Sequence, residues 1–237
     1  MKIQLYNIVY SPNNFKTSSK HSIAPIKICD NDSNNYYPYY LPSFGATNAE
    51  LFIKMENALK ENKSEDLMKL FDQLSDKAKQ NVKDFVKKFE ANGLSLDNYI
   101  PACVKFPSLF YQSPETLEKN VKDFVKKFEA NGLSLDNYIP ACVKQPQLFY
   151  QSSETLEKNV KDFVKKFEAN GLSLKNYIPA CVKQPSLFYK SPETLEKNVK
   201  DFVKKFEANV LSLNDYIPAC VKQPQLFYQS SETLEKM

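Results

Sequence analysis

The chain has 237 residues, a hydrophobic fraction of 42% and an aromatic fraction of 13%, enough apolar material to bury a core in one elongated domain or two small ones. Its formal net charge is +4, and every cation is a lysine: the sequence contains no arginine, the usual bidentate reader of phosphate and guanine edges. Mild basicity of this kind does not by itself demand nucleic acid, and a single histidine, His21, leaves no means of assembling a His-based triad or a His-rich metal site.

The N-terminal stretch "MKIQLYNIVYSPNNF" has no apolar core followed by a small-residue cleavage site, and no apolar run approaches the roughly 18–20 residues that span a bilayer. The expectation is a soluble intracellular protein, cytoplasmic by default, with export by a non-classical signal left open. Residues 1–45 are rich in Asn, Ser, Tyr and Pro, including "DNDSNNYYPYYLP", and predict an irregular arm. Over residues 46–80, "AELFIKMENALKEN" and "SEDLMKLFDQL" have helical spacing, the second with Ser64 as its cap. Leu70–Phe71–Asp72–Gln73 lies 39 residues ahead of Leu109–Phe110–Tyr111–Gln112, so this region reads as a degenerate copy of the downstream repeat, a helical capping unit.

From Asn81 the chain repeats itself. Four near-identical copies of 39-residue period occupy residues 81–119, 120–158, 159–197 and 198–237. A period in this range signals a solenoid or propeller, and the helical spacing within each copy selects an all-α solenoid of stacked helix pairs. In the second copy a long helix starts at Ser113–Pro114–Glu115, with serine as cap, proline in the first turn and glutamate at the positive end of the dipole. Leu117, Val121, Phe124, Val125 and Phe128 fall on one stripe, and Asn131–Gly132 ends the helix in left-handed geometry. A shorter helix begins near Ser134 or Asn137 and puts Tyr138, Ile139, Cys142 and Val143 on one face. Pro140 is expected in its first turn, where no helical N–H is lost; Pro146 stops it, and Leu148–Phe149–Tyr150 links to the next long helix. The last copy stops at "SSETLEKM", inside the start of a long helix, which predicts either a trimmed chain or an open end available for self-association.

Gly132, Leu133, Ser134, Ile139, Pro146, Leu148, Ser152, Glu154 and Leu156 together form a pattern: Gly-Leu-Ser before a short helix, Pro-x-Leu after it, then a Ser-x-Glu-x-Leu opening to a long helix. This pattern, spread over residues 81–237, resembles the repeat of the mitochondrial transcription termination factor (mTERF) family. The resemblance implies a curved superhelix that binds duplex nucleic acid along a basic surface, without catalysis.

Cys103, Cys142, Cys181 and Cys220 recur once per copy among apolar neighbours. Stacked helices lie about 10 Å apart, whereas disulfides need Cα atoms within about 7 Å and zinc needs four ligands around one point. They read as small core residues, so no metal site is expected. Four glycines leave no Gly-rich phosphate loop, and Glu115 and Glu118 are explained by the helix dipole; no catalytic residue, cofactor or small-molecule substrate is expected.

The lysines are the live feature. Lys119, Lys122 and Lys126 share the side of the long helix opposite its apolar stripe; the trio recurs as Lys158, Lys161, Lys165 and as Lys197, Lys200, Lys204, and the first copy offers Lys83 and Lys87. Stacked, they form a ridge suited to tracking a phosphate backbone. The opposing reading is a solvated face held by the i,i+4 pairs Glu115→Lys119, Glu118→Lys122 and Asp123→Lys127. Three copies balance five lysines against five acids; the third carries seven against four, through Lys175 and Lys190. Among the positions that differ between copies, Asp97, Asp136, Lys175 and Asn214 vary independently and are the candidate recognition positions. Two partner classes emerge: nucleic acid, probed through the lysine ridge, and a partner or host polypeptide gripped by Tyr, Gln and Asn side chains, which the near-neutral copies and missing arginine favour. No membrane partner is expected.

Overall fold

The computed structural model describes residues 46–206 and 211–228, and every regular element among them is helical. The arm expected over residues 1–45, with His21 and Cys29, and the helix start expected at the end of the fourth copy lie outside the described residues.

Helices α1 (Ala46–Lys60) and α2 (Ser64–Phe71) pack on each other. Ser64 is not the expected cap: Lys63 holds the N-cap position and Ser64 is the first residue inside α2. Ser75 does cap the next helix, α3 (Asp76–Phe89), its Oγ accepting from the Ala78 N–H at 3.3 Å. Helix α3 is the first of the four long helices of the repeat array, and it begins ahead of Asn81, so the sequence copies are cut within a helix. Between and after the long helices come short ones: α4 (Leu96–Lys105), α5 (Pro114–Phe128, long), α6 (Leu135–Lys144), the four-residue α7 (Gln147–Tyr150), α8 (Ser153–Lys166, long), α9 (Leu174–Lys183), α10 (Pro192–Phe206, long) and α11 (Leu213–Lys222).

Local chemistry sets these ends. Ser113, Ser152 and Ser191 each accept from the backbone N–H three residues on, at 3.1, 3.2 and 3.1 Å, satisfying donors that the first helical turn leaves orphaned. At the other end a 3₁₀ turn runs Glu129–Asn131 into Gly132, whose φ of 89° only glycine adopts without strain. Helices α4, α6 and α9 open with a capping box in which asparagine takes the usual glutamate's place: in α6, Asn137 Oδ1 accepts from the Ser134 N–H at 3.0 Å while its Nδ2 donates to the Gly132 carbonyl at 2.9 Å.

Two expectations need correction. Pro140 sits at the sixth position of α6, past the first turn, and Pro101, Pro179 and Pro218 sit likewise in their helices. The helix tolerates it because the capping box secures the first turn and Pro140, like Asp136 whose carbonyl it leaves unpaired, is exposed to water. The segment after each short helix is also more than a link: Pro107–Phe110, α7, Pro185–Phe188 and Pro224–Phe227 are helical turns, so a unit is a helix pair plus one turn.

Long helices pack on long and short on short, in the successions α3, α5, α8, α10 and α4, α6, α9, α11, which makes a two-layer solenoid. The predicted stripe Leu117, Val121, Phe124, Val125 and Phe128 is buried, as are Tyr138, Ile139 and Cys142, with Val143 half-buried. Aromatic rings stitch successive units together. Phe188 meets Phe124 and Tyr138 of the preceding unit edge-on, at centroid distances of 5.4 and 5.6 Å. Phe149 does the same with Phe85 and Tyr99, and Phe227 with Phe163 and Tyr177. Phe110, in the equivalent register of the first unit, finds Phe52 of α1 and Phe71 of α2 instead, at 5.5 and 6.4 Å. Helices α1 and α2 thus supply rings where, in the later units, the preceding unit supplies its Phe and Tyr.

Candidate nucleic-acid interface

All eleven ridge lysines are exposed. Lys83 and Lys87 stand on α3, Lys119, Lys122 and Lys126 on α5, Lys158, Lys161 and Lys165 on α8, and Lys197, Lys200 and Lys204 on α10. These are successive helices of one layer, so the side opposite the apolar stripe carries lysine from one end of the layer to the other.

They are not equivalent. Lys122, Lys161 and Lys200 pair with Glu118, Glu157 and Glu196 one turn earlier, at 2.6, 2.6 and 2.7 Å. Each of those carboxylates also accepts a lysine from the preceding long helix: Lys88 at 2.7 Å, Lys127 at 2.5 Å and Lys166 at 2.6 Å. Lys127 therefore reaches across to Glu157 and does not make the expected pair with Asp123 one turn back. The hydrogen bonds from Lys122 and Lys88 hold the Glu118 carboxyl below the usual carboxylate range; Lys127 and Lys161 do so for Glu157, and Lys166 and Lys200 for Glu196. The result is an ionic ladder along the long-helix layer, two lysines to each glutamate. Among the described residues, Lys83, Lys87, Lys119, Lys126, Lys158, Lys165, Lys197 and Lys204 make no ion pair, so their charge is uncommitted.

The variable positions Asp97, Asp136, Lys175 and Asn214 are each the second residue of a short helix. Two of them are joints between units: Asn92 Nδ2 donates to Asp136 Oδ1 and Asn170 Nδ2 to Asn214 Oδ1, both at 2.8 Å. Partners 44 residues apart belong to different copies, so no local pattern announces this bond; only the invariance of the asparagine across copies hints at it. Lys175 offers no acceptor to Asn131, the corresponding donor. Lys190, the other lysine peculiar to the third copy, is half-buried, and burial pulls its ammonium below the usual lysine range.

Cys103, Cys142, Cys181 and Cys220 are free and buried. Burial pushes their thiols up, Cys220 to about 12, which disfavours the thiolate that nucleophilic or metal chemistry needs. Among the described residues no helix is long and apolar enough to cross a membrane.

No curated protein and no solved structure matches the chain. The mTERF family model matches residues 6–233, beginning well ahead of the 81–237 span in which the motif is visible in the sequence. That family is one of nucleic-acid-binding helical-repeat proteins, in keeping with the two-layer helical array. With nearly its whole length covered, the chain belongs to the mTERF family.

Proposed function

We propose that the chain is a non-catalytic scaffold that binds nucleic acid, duplex in form, through lysines on the outer side of its long helices. One observation carries the reading: eight uncommitted lysines recur on successive helices of one layer, in a member of a nucleic-acid-binding family. Lysine acts here as a point charge on phosphate, which suits backbone tracking and supplies no bidentate base reading. Affinity should therefore be strongly salt-dependent and weakly sequence-dependent.

An electrophoretic shift series with duplex DNA and duplex RNA tests this. The logarithm of the binding constant should fall linearly with the logarithm of salt concentration, with a slope near −0.9 for each phosphate neutralised on B-DNA. Neutralising Lys126, Lys165 and Lys204 to glutamine should lower that slope by about three. Absence of a shift with either duplex, or affinity flat across the salt series, refutes the reading. A protein-interaction scaffold is the second reading, favoured by the ladder, which ties six of the lysines to glutamates, and by the three copies that balance five lysines against five acids. Capture of one polypeptide from nuclease-treated lysate, with no duplex shift, would select it.

A further inference from the structure

Three copies end their long helix on the same words, Ala-Asn-Gly, as Asn92–Gly93, Asn131–Gly132 and Asn170–Gly171; in the fourth copy a valine follows the asparagine. Asparagine before glycine is the pair most prone to lose its side-chain amide. Glycine has no Cβ to keep its nitrogen away from the neighbouring side-chain carbonyl carbon, whereas a branched valine obstructs that approach. At all three pairs the glycine N–H donates to a glutamate carbonyl three residues back at 3.0 Å, and the glycine φ is 84°, 89° and 85°. The backbone therefore opposes attack equally at each, and a difference between the sites must come from the asparagine side chains.

Those side chains differ. Asn92 Nδ2 donates to Asp136 Oδ1 and Asn170 Nδ2 to Asn214 Oδ1, both at 2.8 Å, so two of the amides are tied to the short helix of the following unit. The residue equivalent to Asp136 and Asn214 in the unit after Asn131 is Lys175, an ammonium with no acceptor to offer. Among the described residues the Asn131 side chain makes no hydrogen bond. Asn131 and Lys175 line one cleft of about 420 Å³, room for several waters, together with Lys161 and Lys165. An untied amide is free to turn its carbonyl carbon toward the glycine nitrogen, and the neighbouring positive charge favours the oxyanion that forms on Oδ1.

We infer that Asn131 is a site of spontaneous deamidation in the folded chain, set apart from Asn92 and Asn170 by the lysine at position 175. The Gly132 nitrogen gives its proton to solvent base and bonds to Asn131 Cγ. The Cγ–Nδ2 bond breaks, and the nitrogen takes a proton from water and leaves as ammonia. Water then opens the five-membered imide at either carbonyl, leaving aspartate or isoaspartate at position 131. Nothing is oxidised or reduced, and water is the one co-reactant. The product suits its surroundings: a carboxylate at position 131 faces the Lys175 ammonium, so two opposed donors become an ion pair, a joint between units like the two already made. The new charge also stands beside Lys161 and Lys165 and withdraws cationic character from the ridge at that unit.

Timed incubation of the full chain at mildly alkaline pH, then cleavage after glutamate and mass spectrometry, tests this. Such cleavage releases residues 91–115, 130–154 and 169–193, which differ in sequence, so the three sites are read separately although the copies are nearly identical. Fragment 130–154 should gain the mass of an amide-to-acid change first, about fivefold faster than the other two, the factor by which one hydrogen bond raises a barrier. Both aspartate and isoaspartate should be present at position 131. Lys175→Asp returns an acceptor to Asn131 and places an acid in the first turn of α9, so it should fold as the parent does and slow fragment 130–154 to the rate of fragment 91–115. Asp136→Lys, the reciprocal change, should release Asn92 and speed fragment 91–115 instead. In urea the three fragments should convert at one rate, since their local sequences agree. Equal rates in the folded parent, an unchanged rate in Lys175→Asp, or a ranking that persists in urea would each overturn the inference.

Discussion

Replacing Phe149 by leucine isolates what the inter-unit rings contribute. Phe149 is fully buried, with its ring edge-on to Phe85 at 5.4 Å and 89° and to Tyr99 at 5.4 Å and 88°. Leucine keeps most of the apolar volume and removes both aromatic contacts. Each such pair is worth roughly 0.5–1.5 kcal/mol beyond the area it buries, so Phe149→Leu should cost about 1–3 kcal/mol, against about 3–5 kcal/mol for Phe149→Ala, which also opens a cavity. Because each unit of a solenoid touches only its neighbours, the loss falls on one interface. Urea unfolding followed by far-UV circular dichroism should show a lower midpoint and a broader, less cooperative transition; tryptophan fluorescence is not an option, since the chain has none. A double-mutant cycle of Phe85→Leu with Phe149→Leu should return a coupling of about 0.5–1.5 kcal/mol. A coupling indistinguishable from zero, with Phe149→Leu costing no more than an ordinary surface change, would refute the view that these rings bind unit to unit.

Gly132→Ala should lower stability by about 1 kcal/mol in thermal unfolding through left-handed strain alone, because a Cβ there meets nothing within 4 Å; an unchanged midpoint would refute the assignment. The ladder predicts a pH dependence of definite sign. Glu118, Glu157 and Glu196 have depressed folded-state values, so their contribution is present above the ordinary glutamate pKa of about 4.3 and is lost as pH falls through the lower folded value; the urea midpoint should drop in that acid range, and less so when Glu118, Glu157 and Glu196 are all replaced by glutamine. Lys88, Lys127 and Lys166 are raised by their hydrogen bonds to the same glutamates, so their contribution is present below the ordinary lysine value of about 10.4 and lost only above it, and the midpoint should fall again in strong alkali. Native protein should resist iodoacetamide at Cys142 until urea opens the array; rapid native labelling would contradict its burial.

Much of the fold was legible in the sequence because it is written in short-range chemistry. A serine ahead of Pro-Glu, an apolar stripe at helical spacing and a glycine after Glu-Ala-Asn each act within a turn or two, and repetition every 39 residues multiplies the signal. The short-range reading failed where longer-range context intervened. Pro140 survives in the second turn of α6 because its side of the helix faces water, and Ser64 loses the cap position to Lys63.

By itself the sequence determined the repeated helix pairs, the serine caps of the long helices, the buried stripe and the number of copies, since each arises from neighbours along the chain. Only the tertiary structure decided how charge is spent. Lys127 turns from Asp123 to Glu157, thirty residues on, because helix stacking brings that carboxylate within 2.5 Å. Asp136 becomes a joint to Asn92, while Lys175, at the same position one unit later, borders an open cationic cleft. Such pairings depend on which side chains face one another across the stack. That is a property of packed layers, and a one-dimensional pattern does not carry it.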